Sequence, residues 1–107
     1  MESKEKVFGM LGLCAKAGKI SCGNQAVLEV IEKRKVKLLI IAKDSSDRTK
    51  ENFRKLGKEK NIPIIIDYTI QELSEKIGRE NKAIIAICDE NFAVAIQKIL
   101  NGGEMIG

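Results

Sequence analysis

The chain has 107 residues, 44% of them hydrophobic and 4% aromatic, with 19 Lys and Arg against 15 Asp and Glu for a formal charge of +4. A length of this order buries one core but not two, so a single domain over residues 1–107 is expected, its apolar mass drawn mainly from Ile, Leu, Val and Ala. That content excludes a disordered chain, the few aromatic rings exclude single-strand binding on stacked platforms, and the absence of histidine removes the commonest general base together with any Ser-His-Asp or Cys-His arrangement.

In chain order, Val7, Phe8, Leu11, Cys14 and Ala15 recur at three- and four-residue intervals and predict a helix over residues 3–17, stopped at Gly18. Residues 19–22 are a short connection with the character of an edge strand. Ala26, Val27, Val30 and Ile31 mark the buried stripe of a second helix over residues 24–34. KLLIIAKD (37–44), IPIIID (62–67) and AIIAICD (83–89) are nearly continuous apolar runs of strand length, as expected of strands covered on both faces. Between them residues 47–60 and 69–77 read as helices, the second opened by a Thr69/Glu72 capping-box pattern and closed at Gly78. A last helix spans 91–100, and the tail after it is expected to fray. Helices alternating with buried strands imply a three-layer α/β/α sandwich around a mixed, mainly parallel sheet of about four strands.

Cys14, Cys22 and Cys88 are odd in number and without a CxxC pair, which argues against a disulfide framework and a zinc site and for small buried side chains. The charged start and the lack of a long apolar run predict a cytoplasmic protein without a membrane segment. No phosphate-binding GxxxxGK[ST] loop is present, and GLCAKAG lacks the preceding strand of a dinucleotide fingerprint. We expect no cofactor and no resident metal.

Two constellations remain. Asp44, Asp67 and Asp89 each follow an apolar run, and carboxylates at strand ends can converge on magnesium or accept a phosphoryl group. A receiver-like or metal-dependent signalling domain is therefore the alternative function. Only three strong runs are present and no acidic pair follows the first, so capping of the helices that follow is the expected role. The second constellation is KAGKISCGNQAVLEVI (16–31). A helix beginning near Asn24 offers unpaired backbone N–H groups and a positive dipole end to anions. Gly23 admits close backbone approach, Asn24 and Gln25 carry amides that donate and accept, and Lys16, Lys19, Lys33, Arg34 and Lys35 add cationic reach. From these residues alone, an anion site and an ordinary capped turn with a solvated basic face stay equally open.

LGLCAKAGKISCGNQAVLEVIEKRKVKLLIIAKD, followed by KNIPIIID, ELSEKIGRE and AIIAICDENFAVAI, resembles the kink-turn-binding ribosomal proteins of the L7Ae and L30e type, and within that family the bacterial YlxQ-like branch. The similarity runs from Lys6 to Leu100. It implies a non-enzymatic, ribosome-associated α/β/α protein that binds structured RNA bent at a kink-turn; nothing in the sequence suggests an obligate dimer, so a monomer is expected. It places RNA-reading residues on Lys19, Gly23, Asn24, Gln25 and Glu29, and a nucleotide-packing loop on Ile87, Cys88 and Asp89. Three positions depart from the family pattern: Ala26 stands where archaeal members carry glutamate, Glu29 where they carry a groove-contacting lysine, and Leu73-Ser74 where the family has leucine-glycine.

Overall fold

The computed structural model describes residues 3–101, and the tail expected to fray lies outside them. Nine elements follow one another: α1 (Ser3–Lys16), β1 (Ile20–Cys22), α2 (Asn24–Glu32), β2 (Leu38–Ile41), α3 (Asp47–Lys60), β3 (Ile64–Ile66), α4 (Ile70–Ile77), β4 (Ile84–Ile87) and α5 (Glu90–Leu100). Side-chain chemistry sets the helix starts. Ser46 accepts from the Thr49 N–H at 3.1 Å to open α3, and Asp89 accepts from the Phe92 N–H at 3.0 Å to open α5. At α4 the predicted capping box is complete. Thr69 Oγ1 accepts from the Glu72 N–H at 3.1 Å and Glu72 Oε1 accepts from the Thr69 N–H at 2.9 Å, satisfying two otherwise orphan donors. Lys4 of α1 pairs with Glu72, and that contact holds the carboxyl below its usual range.

The strand order is β1-β4-β2-β3. β2 and β3 pair parallel, with Leu39 opposite Ile64, whereas β4 runs antiparallel to both neighbours, Ile87 facing Ile20 on one side and Leu38 on the other. Three strands thus share a direction, but β4 sits among them reversed and only one pairing is parallel, so the sheet is mixed rather than mainly parallel. Apolar runs report burial on both faces, and that burial is the same whichever way a neighbour points.

Alternate residues of the central strands face opposite layers. Leu38, Ile40, Ile85 and Ile87 pack with Val7, Leu11, Leu73 and Ile96 from α1, α4 and α5. Leu39, Ile41, Ile84 and Ala86 pack with Val27, Ile31 and Phe53 from α2 and α3. This is the expected α/β/α sandwich, and it has two ends. At the upper end lie the C-termini of β1, β2 and β3 and the start of β4, joined by the Ala42 N–H to Ala83 O bond of 2.9 Å. At the lower end lie the starts of β1, β2 and β3 and the end of β4, joined by the bonds from Cys88 N–H to Lys19 O and from Lys37 N–H to Ile87 O, each 2.8 Å.

Candidate nucleic-acid interface

At the upper end the chain leaves β1 and enters α2 through one residue. Gly23 has φ 89° and ψ 154°, a region that only glycine occupies without strain. Its N–H donates to Ile84 O at 3.0 Å, extending the β1–β4 ladder, and its carbonyl accepts from Val27 N–H at 3.0 Å, starting the helix. No side chain caps α2, and no acidic residue lies in its first turn. Asn24, Gln25 and Ala26 are exposed, so their N–H groups face outward at the positive end of the dipole. Hydrophobic anchoring fixes this presentation, because Val27 and Ile31 are buried against the sheet one and two turns later.

A second segment stands beside this helix start. A Cβ on Gly23 would lie 3.6 Å from Lys82 Nζ, so the ammonium of Lys82 rests against the bare glycine backbone. The loop carrying it is tied from below. Buried Ser74 of α4 accepts from the Lys82 N–H at 2.8 Å and donates to Lys82 O at 3.4 Å. The departure from leucine-glycine at Leu73-Ser74 thus has a use: the hydroxyl pins the strand entry that positions Lys82.

The residues expected to form one site fall into two groups. Gly23, Asn24 and Gln25 come together at the upper end, and exposed Glu29 lies one turn past Gln25 on the same stripe of α2. Lys19 lies at the lower end, four residues and roughly 13 Å of extended chain from Gly23, hydrogen-bonded to Cys88 through its carbonyl. Ile87, Cys88 and Asp89 are also at the lower end. They do not form the loop beside α2. Ile87 is fully buried, Asp89 uses its carboxylate to cap α5, and partly buried Cys88 has its thiol pKa pushed up by burial. The reason is the reversed direction of β4, whose first residues, not its last, meet the start of α2. The segment that stands beside the start of α2 is the loop at 78–83, Lys82 in particular, and not Ile87, Cys88 and Asp89. Nothing local in the sequence marks Lys82, since the pairing partner of β4 decides where it lands.

The lower end is equally ordered. Cys14 of α1 is buried and its Sγ lies 3.6 Å from Lys19 O, with burial, and then the nearby Asp89 and Cys88, pushing its pKa to about 12. The aspartates at strand ends are spread across both ends and occupied. Asp44 accepts from the Ile70 N–H at 2.9 Å, capping the first turn of α4 from another loop, and Asp67 accepts from the Tyr68 N–H at 2.8 Å. These two are at the upper end and Asp89 is at the lower, so the convergence a receiver-like site requires does not occur. The expected capping role holds in full only for Asp89, because Ser46 opens α3 and Thr69 opens α4. Among the described residues no group of three His, Cys, Asp or Glu is placed to hold a metal ion, and no helix is long and apolar enough to cross a membrane.

The sequence profile of the Ribosomal protein L7Ae/L30e/S12e/Gadd45 family matches residues 5–97, from α1 into α5. The chain belongs to this family. Among relatives of the L7Ae/L30e/S12e/Gadd45 family it is 25% identical to the RNA-binding protein YlxQ of Enterococcus faecium over 100 residues, covering 94% of this chain and 96% of the relative. It is 26% identical to the RNA-binding protein YlxQ of Bacillus subtilis (strain 168) over 94 residues, covering 88% and 94%. Two solved structures share the fold. One is a protein of unknown function from Bacillus halodurans, with a TM-score of 0.86 at 24% identity, covering 90% of this chain and 97% of that one. The other is the Giardia lamblia 15.5kD RNA binding protein, with a TM-score of 0.77 at 15% identity, covering 95% and 88%. The fold of an L7Ae-type protein is therefore kept while Glu29 occupies the exposed face of α2.

Proposed function

We propose that this L7Ae-type chain is a non-catalytic RNA-binding protein that acts as a monomer, associates with the ribosome or another ribonucleoprotein, and recognises a sharply kinked RNA through the start of α2. The observation that carries the reading is the uncapped helix start at Gly23, with exposed Asn24 and Gln25 beside Lys82. Free N–H groups and the helix dipole suit a phosphate. The two amides suit base edges, where they can donate and accept at once. An undistorted A-form helix keeps its major groove too narrow for side chains, so a kinked or widened helix is the target that this arrangement can enter. The names of the YlxQ relatives and of the Giardia protein support RNA as the partner.

The test compares affinity for a kink-turn RNA with affinity for a plain duplex of equal length. The kinked RNA is expected to bind more tightly, and Gln25→Ala to narrow the ratio while binding persists, since phosphate contacts position and base contacts specify. Equal affinity of the wild-type protein for both RNAs would overturn the kink-specific reading.

A further inference from the structure

The cations that the sequence groups with the α2 start lie at the other end of the molecule, and their arrangement carries a second contact. Lys33 closes α2, and Arg34 and Lys35 bond back to its last turn through N–H bonds of 3.0 Å to Ile31 O and Val30 O. Lys37 follows at the foot of β2, next to Ile87, while Lys16 ends α1 and Lys19 begins the path into β1. All six are exposed. Lys58 and Lys60 bring the last turn of α3 to the same end. Arg34, Lys37 and Lys60 share the rim of an open concavity of about 630 Å³, together with Glu59 and Glu90.

Charge at this end is in excess. Its acidic residues are Glu32, Glu59, Glu90, the capping Asp89 and Glu75, which lines a hollow with Lys16 and Arg79, and they remain fewer than its cations. The only ion pair among the described residues joins Lys4 to Glu72, away from this end. The C-termini of α1, α2 and α3 also converge here, but each carries only about half a negative elementary charge, too little to neutralise the surplus. By contrast, the upper end sets Lys43, Arg48 and Lys82 against Asp44, Asp47 and Asp67. Arg34 adopts φ 59°, the left-handed conformation that helix ends usually assign to glycine, so a cation occupies a position where the backbone favours a smaller residue.

We infer that the lower end is a second RNA-backbone contact, which holds the phosphates of a stem flanking the kink while the start of α2 reads the kink itself. The inference rests on RNA being the partner, as proposed above. It separates two jobs in space: the balanced upper end discriminates and the surplus cations of the lower end position. The α2 helix that connects them has nine residues, about 14 Å at 1.5 Å per residue, so one folded RNA can reach both.

The experiment uses a kink-turn RNA with short flanking stems, the same RNA with each stem lengthened by a full helical turn, and a plain duplex matched in length to the longer RNA. Each is titrated against salt with the wild-type protein, with the triple variant Lys33→Gln, Arg34→Gln, Lys35→Gln, and with the charge-conserving double variant Lys33→Arg, Lys35→Arg. Lengthening the stems should tighten wild-type binding and steepen its dependence on log salt. The triple variant should lose both gains, with a slope shallower by about 2 at roughly 0.7 to 0.9 per contact, yet keep its preference for kinked over plain RNA. The charge-conserving variant should behave as wild type. A triple variant that matches wild type in affinity and slope on the long RNA overturns the inference. So does one that matches wild type on RNA but loses binding to poly-glutamate, which would assign this end to an acidic protein. Loss of kink preference in the wild type, with the stem-length effect intact and abolished in the triple variant, would overturn the kink reading and leave the second contact standing.

Discussion

Ser74 and Glu29 show how much of the proposed interface rests on single side chains. Ser74 is buried and its hydroxyl is the partner of the Lys82 N–H at 2.8 Å, so Ser74→Ala strands a partly buried donor. A loss of about 1–3 kcal/mol is expected for an unsatisfied group of this kind, read by urea denaturation, together with weaker RNA binding because Lys82 is no longer held against Gly23. Unchanged stability would mean that water replaces the hydroxyl. Glu29 brings a negative charge one turn beyond Gln25. If that stripe faces phosphate, Glu29→Lys should tighten RNA binding and steepen the log-salt slope by about 0.7 to 0.9 per new contact. An unaltered slope would show that the stripe points away from the RNA.

At the scale of elements, α3 carries a glycine for reasons of packing. A Cβ on Gly57 would collide with Ile64 Cδ1 and stand 2.8 Å from Ile64 Cγ1 and 3.2 Å from Ile62 O, where the chain turns from α3 into β3. Helix propensity alone would make Gly57→Ala stabilising by about 1 kcal/mol, whereas overpacking of a core typically costs about 1–3 kcal/mol. One contact is with backbone, which cannot swing aside, so the variant is expected to melt at a lower temperature than wild type. A higher melting temperature would show that Ile64 repacks freely. Much of this level was legible in the sequence: the stripe of Val27 and Ile31, the Thr69/Glu72 box and the three apolar runs all report local periodicity. The direction of β4 was not, because its residues are buried on both faces in either orientation.

For the whole molecule, that one direction decides what meets what. Because β4 is reversed, Lys82 joins the start of α2, while Lys19 and Asp89 join the cations that close α2. The same topology keeps Asp44 and Asp67 apart from Asp89, so millimolar magnesium is expected to leave the melting temperature unchanged beyond a general salt effect. A magnesium-specific rise would reveal a site bound only by the folded state and restore the signalling alternative. RNA, in contrast, should raise it, by linkage to the folded protein.

By itself the sequence determined the layers, the helix starts, the core and a helix beginning at Gly23-Asn24-Gln25, because each is written in local spacing and residue chemistry. Only the tertiary structure decided that Lys19, Ile87, Cys88 and Asp89 lie apart from that start, that Lys82 lies against it and that the surplus positive charge gathers at the opposite end. Those facts depend on which strand ends adjoin across the sheet, and pairing between distant segments leaves no mark on the period of either one.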